Sequence, residues 1–127
     1  MPAKSKNFIF KIGHYPFDCM VSLGETDVQV YQKLKKFKID VSNNDNWKFE
    51  DNGTGRVIQF PGGQFLLRLS VIPSTVEEYG TLQHEIFHVV EFLMRRLKMK
   101  LCLKNDEAWA YTIQHMTEVI YTQLHRK

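Results

Sequence analysis

Cysteine is scarce in this sequence, and its scarcity excludes two classes of protein. Cys19 and Cys102 are the only cysteines among 127 residues. Neither has a second cysteine at the spacing of a cysteine zinc finger. Two distant thiols make no disulfide framework, and in a reducing compartment both are expected to be buried free thiols. Long apolar runs are missing too: no stretch reaches the roughly 18 apolar residues of a transmembrane helix. The leading MPAKSKNFIFKIGH is basic but holds no apolar segment of signal-peptide length, so the expected compartment is the cytoplasm. No repeat period and no low-complexity tract occurs, which argues against solenoids and arrays. Charge of one sign is not in large excess, since 17 basic minus 14 acidic side chains leaves +3. That balance does not point to nucleic acid by itself. The length excludes a TIM barrel, which takes about 200 residues or more.

What is present suits one globular domain. Hydrophobic residues make up 43% and charged residues 24%, enough for a core and too little charge for a disordered chain. Phe8–Gly13 alternates as a strand and breaks at Tyr15-Pro16. Asp18–Leu23 is a second strand, ended by Gly24. Glu25–Ile39 turns helical, with Val28, Tyr31, Leu34 and Lys35 sharing a face. Asp40–Gly55 is a polar loop in which Trp47 and Phe49 suit a short strand. Arg56–Phe60 and Gln64–Ile72 form a hairpin around Pro61-Gly62-Gly63. Phe65, Leu67, Leu69 and Val71 lie on one face of its second strand, with Leu66 and Arg68 on the other. Ser74-Thr75-Val76-Glu77 has the form of a capping box and opens a helix to about Met99. After the break at Lys104-Asn105-Asp106, Asn105 or Asp106 caps a last helix to about Leu124. The expected fold is α+β, a small mixed sheet packed on two to three helices.

The motif with chemical content is His84-Glu85-Ile86-Phe87-His88, an HExxH inside the first of these long helices. Residues four apart on a helix share a face, so both imidazoles are placed to grip one zinc ion. Glu85 sits beside them, able to act on a water without ligating the metal. Ile86 and Phe87 are expected to face inward. By composition, such a motif arises by accident in about 1% of chains like this one. A zinc site needs a third protein ligand. Glu107 offers one, since residues 89 to 106 place 18 residues between His88 and the first turn of the last helix. Two antiparallel helices bring it back toward the histidines.

The pattern HExxH, 18 residues, Glu resembles the gluzincin class of zinc metallopeptidases. The stretch Glu107-Ala108-x-Ala110-Tyr111 is also similar to the small ImmA/IrrE-type peptidases and to short zincin-like proteins of tailed phages. The resemblance covers about residues 64–124, and the N-terminal third carries none. The last helix lacks the Asn and Ser-Asp that flank the glutamate in thermolysin-like enzymes. The resemblance implies a minimal zincin-like fold with zinc on His84, His88 and Glu107, and Glu85 as general base. It implies that the strand before the motif helix, Gln64–Ser70, is a sheet edge pairing with the backbone of a peptide or protein substrate. For a phage-encoded relative the setting would be the host cytoplasm or the virion.

Other residues carry two readings each. Tyr111, four residues after Glu107, suits an oxyanion stabiliser or a core tyrosine. His115 reads as a surface or supporting residue, and His14 as structural or solvent-facing. Asp106 suits the dipole at a helix start. Gly80, one turn before His84, marks either a close backbone approach or a tolerated cost of about 1 kcal/mol. The cations at Lys33–Lys38 and from Arg95 to Lys104 read as solvated faces rather than nucleic-acid contacts. The proposed reaction is peptide-bond hydrolysis. The rival is a zinc-binding interaction module without catalysis, and a third option is a helical coincidence without metal. Only 127 − 107 = 20 residues follow Glu107, so a partner protein is expected to complete the cleft if the site is not wide open.

Overall fold

Short apolar segments between Lys6 and Leu69 build one four-stranded sheet. The computed structural model describes residues 4–41, 46–49 and 53–126. Strand β1 (Lys6–Lys11) pairs antiparallel with β2 (Asp18–Leu23). Helix α1 (Asp27–Lys36) follows, and then the hairpin of β3 (Gly55–Gln59) and β4 (Gln64–Leu69). β4 lies parallel to β2, so the sheet order is β1-β2-β4-β3. The chain ends in α2 (Val76–Arg96) and α3 (Asp106–Leu124). The fold is α+β with a small mixed sheet, as expected.

The sheet order corrects one expectation. Gln64–Leu69, the strand before the motif helix, is interior and not an edge. Its residues explain this: Phe65 to Leu69 are all buried, as a strand covered on both faces requires. The free edge beside α2 is β3, which contacts that helix directly.

Helices cover both faces. Phe65, Leu67 and Leu69 point toward Leu82, Ile86, Val89 and Leu93 of α2 and Met116 and Ile120 of α3. On the opposite face Met20, Ile58 and Leu66 meet Val30 and Leu34 of α1, together with Trp47. Each fully buried aliphatic side chain contributes about 1.5–3 kcal/mol. In α1 the buried stripe is Val30 and Leu34, whereas Val28 and Tyr31 are exposed. The cap sets this phase: Thr26 and Gln29 form the capping box, which turns Val30 and Leu34, four apart, to the sheet. Tyr31 stacks instead on Trp47, with ring centroids 5.8 Å apart.

Arg68 is the buried polar hub of the α1 face, 1% exposed. Its guanidinium donates to Asp27 Oδ1 (2.7 Å), Trp47 O (2.7 Å) and Glu25 O (2.9 Å). It also lies over the Phe49 ring at 4.1 Å. One β4 side chain thereby fastens the start of α1 and the 46–49 segment. That segment is turn rather than strand, and residues 42–45 and 50–52 of the expected loop lie outside the described residues.

The cap of α2 falls one residue later than expected. Thr75 Oγ1 accepts from the Glu78 amide at 3.1 Å, and Glu78 Oε1 accepts from the Thr75 amide at 3.1 Å. The Ser74 amide also donates to Glu78 Oε1, at 2.9 Å. The helix closes early, at Arg96, because Lys98 adopts a left-handed φ of 58°. The Met99 amide then bonds back to Met94 O at 2.9 Å, which ends the helix. Asn105 stands at the N-cap of α3 without a side-chain cap, since its amide donates to Lys100 O at 3.1 Å. Cys19 is buried, and burial pushes its thiol pKa up. Cys102, expected to be buried, is exposed because it falls in the turn between α2 and α3. Among the described residues, no helix is long and apolar enough to cross a membrane.

Candidate metal centre

The middle of α2 carries the motif, and the helix alone positions it. His84 and His88 sit one turn apart with their Nε2 atoms 3.0 Å from each other. Two nitrogens sharing one tetrahedral zinc at about 2.0–2.1 Å stand about 3.3 Å apart, so the pair fits one ion. Glu85 completes a group whose ligand atoms all lie within 4.8 Å of one another. Among the described residues, this is the only such group of three.

Glu85 differs from the histidines in its surroundings. It is 6% exposed, whereas His84 is exposed and His88 half-buried. It lies against the start of β3: a Cβ on Gly55 would stand 2.8 Å from Glu85 Oε2 and 2.9 Å from its Cγ. Only glycine leaves room there. Burial pushes the Glu85 pKa above the usual carboxylate value, while His84, His88 and Arg56 pull it back.

Glu91 was not singled out in the sequence, and the structure sets it against the motif. Its Oε1 lies 3.1 Å from His88 Nδ1, and its Oε2 accepts from Arg95 Nη2 at 3.4 Å. A metal-binding histidine commonly donates its other ring nitrogen to such a carboxylate. The only signal in the sequence was an acid three residues after His88, on the same face. The Phe92 ring stacks on His88 as well, at 6.1 Å and 22°. Ile86 points into the core as expected, but Phe87 is 39% exposed. Phe87 packs between His88 and Trp109, at 6.3 and 5.9 Å, and so links the motif to α3. Gln83 makes a second link, donating to Tyr121 Oη at 3.2 Å and Thr117 Oγ1 at 3.4 Å.

The remaining candidates fall elsewhere. Glu107 is in the first turn of α3, as expected, but it is exposed and outside the group of His84, Glu85 and His88. Tyr111 is 65% exposed and lines a groove with His14, Tyr15 and His115, beside the β1–β2 turn. None of the motif residues lines that groove. His115 faces β1, with its ring edge on Phe10 and Nε2 3.4 Å from Lys11 O. Gly80 has open space where a Cβ would go, so no close approach explains it. No protein-family model matches this chain, and no curated protein or solved structure matches it.

Proposed function

We propose that this protein is a zinc-dependent metallopeptidase of gluzincin type, with a minimal zincin-like fold. The observation that carries the reading is the placement of Glu85. It is buried against the free edge strand and adjoins two imidazoles spaced for one ion.

His84 and His88 would hold the metal, and Glu91, 3.1 Å from His88 Nδ1, would orient the His88 ring. Zinc, when bound, supplies Lewis acidity toward water and toward a carbonyl oxygen. Glu85 takes a proton from the attacking water and returns it to the leaving amine. The substrate backbone lies along the free edge of β3, beginning at Gly55 beside Glu85. Glu107 is the proposed third ligand. It stands two residues before Trp109, which lines one groove with Glu91. Tyr111 in its present place serves its own groove, so an oxyanion role would require a shift of α3. The substrate is a peptide or protein, and the open site is suited to completion by a partner protein. The proposed compartment is a reducing cytoplasm, where an exposed Cys102 stays a free thiol.

One observation favours a second reading, a zinc-binding module without catalysis: Glu107 and Tyr111 both lie away from the motif group. Glu85→Gln separates the two. A peptidase keeps its zinc and loses about 10²–10⁴-fold in turnover. Equal turnover in both proteins, or none in either across a peptide library, overturns the peptidase reading.

A further inference from the structure

The motif face of α2 continues past His88 into a feature the reaction above does not use. Residues 84, 88, 91 and 95 follow one another at spacings of three and four, so they share a stripe of α2, and Lys98 lies two residues past the end of that helix. At its far end lies a groove of about 500 Å³, within the range of ligand sites. Its floor is apolar, built from Met94, Met99 and Trp109. The Trp109 ring is locked in place, because its Nε1 donates to Met99 O at 2.9 Å. The rim is cationic, formed by Arg95, Lys98 and Lys100. Arg95 is partly neutralised by Glu91, whereas among the described residues Lys98 and Lys100 make no ion pair.

Lys98 has an additional peculiarity. Its φ of 58° is a left-handed conformation in which glycine is the favoured residue. A side chain held there at a backbone cost of about 1–2 kcal/mol is placed on the rim of an apolar groove. Glu91 belongs to both places, touching His88 and lining the groove. Arg95 lies seven positions after His88, which is about 10 Å along a helix. That distance is the reach of about three residues of extended peptide.

We infer that this groove is a substrate subsite that selects an acidic segment carrying a bulky apolar side chain, about three residues from the bond at the motif. The inference rests on the peptidase reading for its place in a reaction, but the binding preference is measurable without cleavage. The apolar chain fills the floor beside Trp109, and Lys98 and Lys100 pair with the acids. Nucleic acid is the less suited ligand: the groove offers one aromatic ring and includes Glu91 on its wall.

The test uses blocked octapeptides with a central Phe whose immediate neighbours on both sides are Glu, Gln or Lys. Binding is measured by calorimetry on zinc-loaded Glu85→Gln protein. The Glu peptide is expected to bind about tenfold or more tightly than the Lys peptide, with the gap shrinking in high salt. In the Lys98→Glu/Lys100→Glu protein the ratio is expected to fall to about twofold or less. Lys98→Gly controls for folding, since it relieves the left-handed residue: its Tm is expected to rise while the preference falls. A preference absent from the parent protein, or one surviving the double substitution, overturns the inference. Displacement of the Glu peptide by a single-stranded oligonucleotide at lower concentration than by unlabelled Glu peptide also overturns it. Failure of the peptidase reading looks different: wild-type protein cleaves none of the peptides while the binding preference remains.

Discussion

Glu91 Oε1 lies 3.1 Å from His88 Nδ1, and this contact gives the two histidines unequal support. Among the described residues, His84 has no such carboxylate behind its ring. Glu91→Gln is therefore expected to weaken zinc binding by about 10–100-fold while leaving the helix intact. Calorimetric titration with zinc, paired with circular dichroism, checks both halves. Unchanged affinity would mean that the contact does not orient the ligand.

Gly55 sets the position of Glu85 by what it lacks. A methyl group there meets the Glu85 carboxylate at 2.8 Å, and the carboxylate is the part able to move. Gly55→Ala is expected to fold with a loss of about 1–3 kcal/mol, because the new Cβ also meets Glu85 Cγ at 2.9 Å and Leu69 Cδ2 at 3.1 Å. Its peptide cleavage is expected to drop severely while zinc stays bound. Full activity with an unchanged pH profile would show that β3 does not position the base.

Gly80 is a stability liability without a packing reason. It is exposed, inside α2, and a Cβ there meets nothing within 4 Å. Gly80→Ala is expected to stabilise the fold by about 1 kcal/mol in urea unfolding. Destabilisation would reveal that the open space is needed by the folded state.

The cap of α2 carries a pH dependence. Hydrogen bonds from the Ser74 and Thr75 amides hold the Glu78 pKa below the ordinary carboxylate value. A lowered folded pKa means that the ionised cap stabilises the fold above the unfolded value. That contribution is lost as pH falls through the folded value. Stability of wild type is therefore expected to fall more steeply in the acid range than that of Glu78→Gln. Parallel acid limbs for the two proteins would remove Glu78 from this account.

Much of this was legible locally. Asp18–Leu23 is expected as a strand ended by Gly24 and is bounded at the same residues in the sheet. HExxH needs nothing beyond one helix, so its geometry followed from spacing alone. What depended on distant pairing was not legible. Whether Gln64–Leu69 is an edge depends on β2 lying beside it, 46 positions earlier in register (64 − 18). The buried network of Arg68 depends on α1 and the 46–49 segment meeting over one strand. Tyr111 shares a helix with Glu107, yet it lines another groove, against the β1–β2 turn. Local periodicity defines elements, and long-range pairing decides which faces meet.

The central claim is that His84 and His88 bind zinc, and equilibrium dialysis against buffered zinc tests it most directly. Wild-type protein is expected to retain about one equivalent, and His88→Ala less than about a tenth of one, since a zinc site needs its full ligand set. Wild-type protein that retains no zinc, or His88→Ala protein that retains as much as wild type, would contradict the claim.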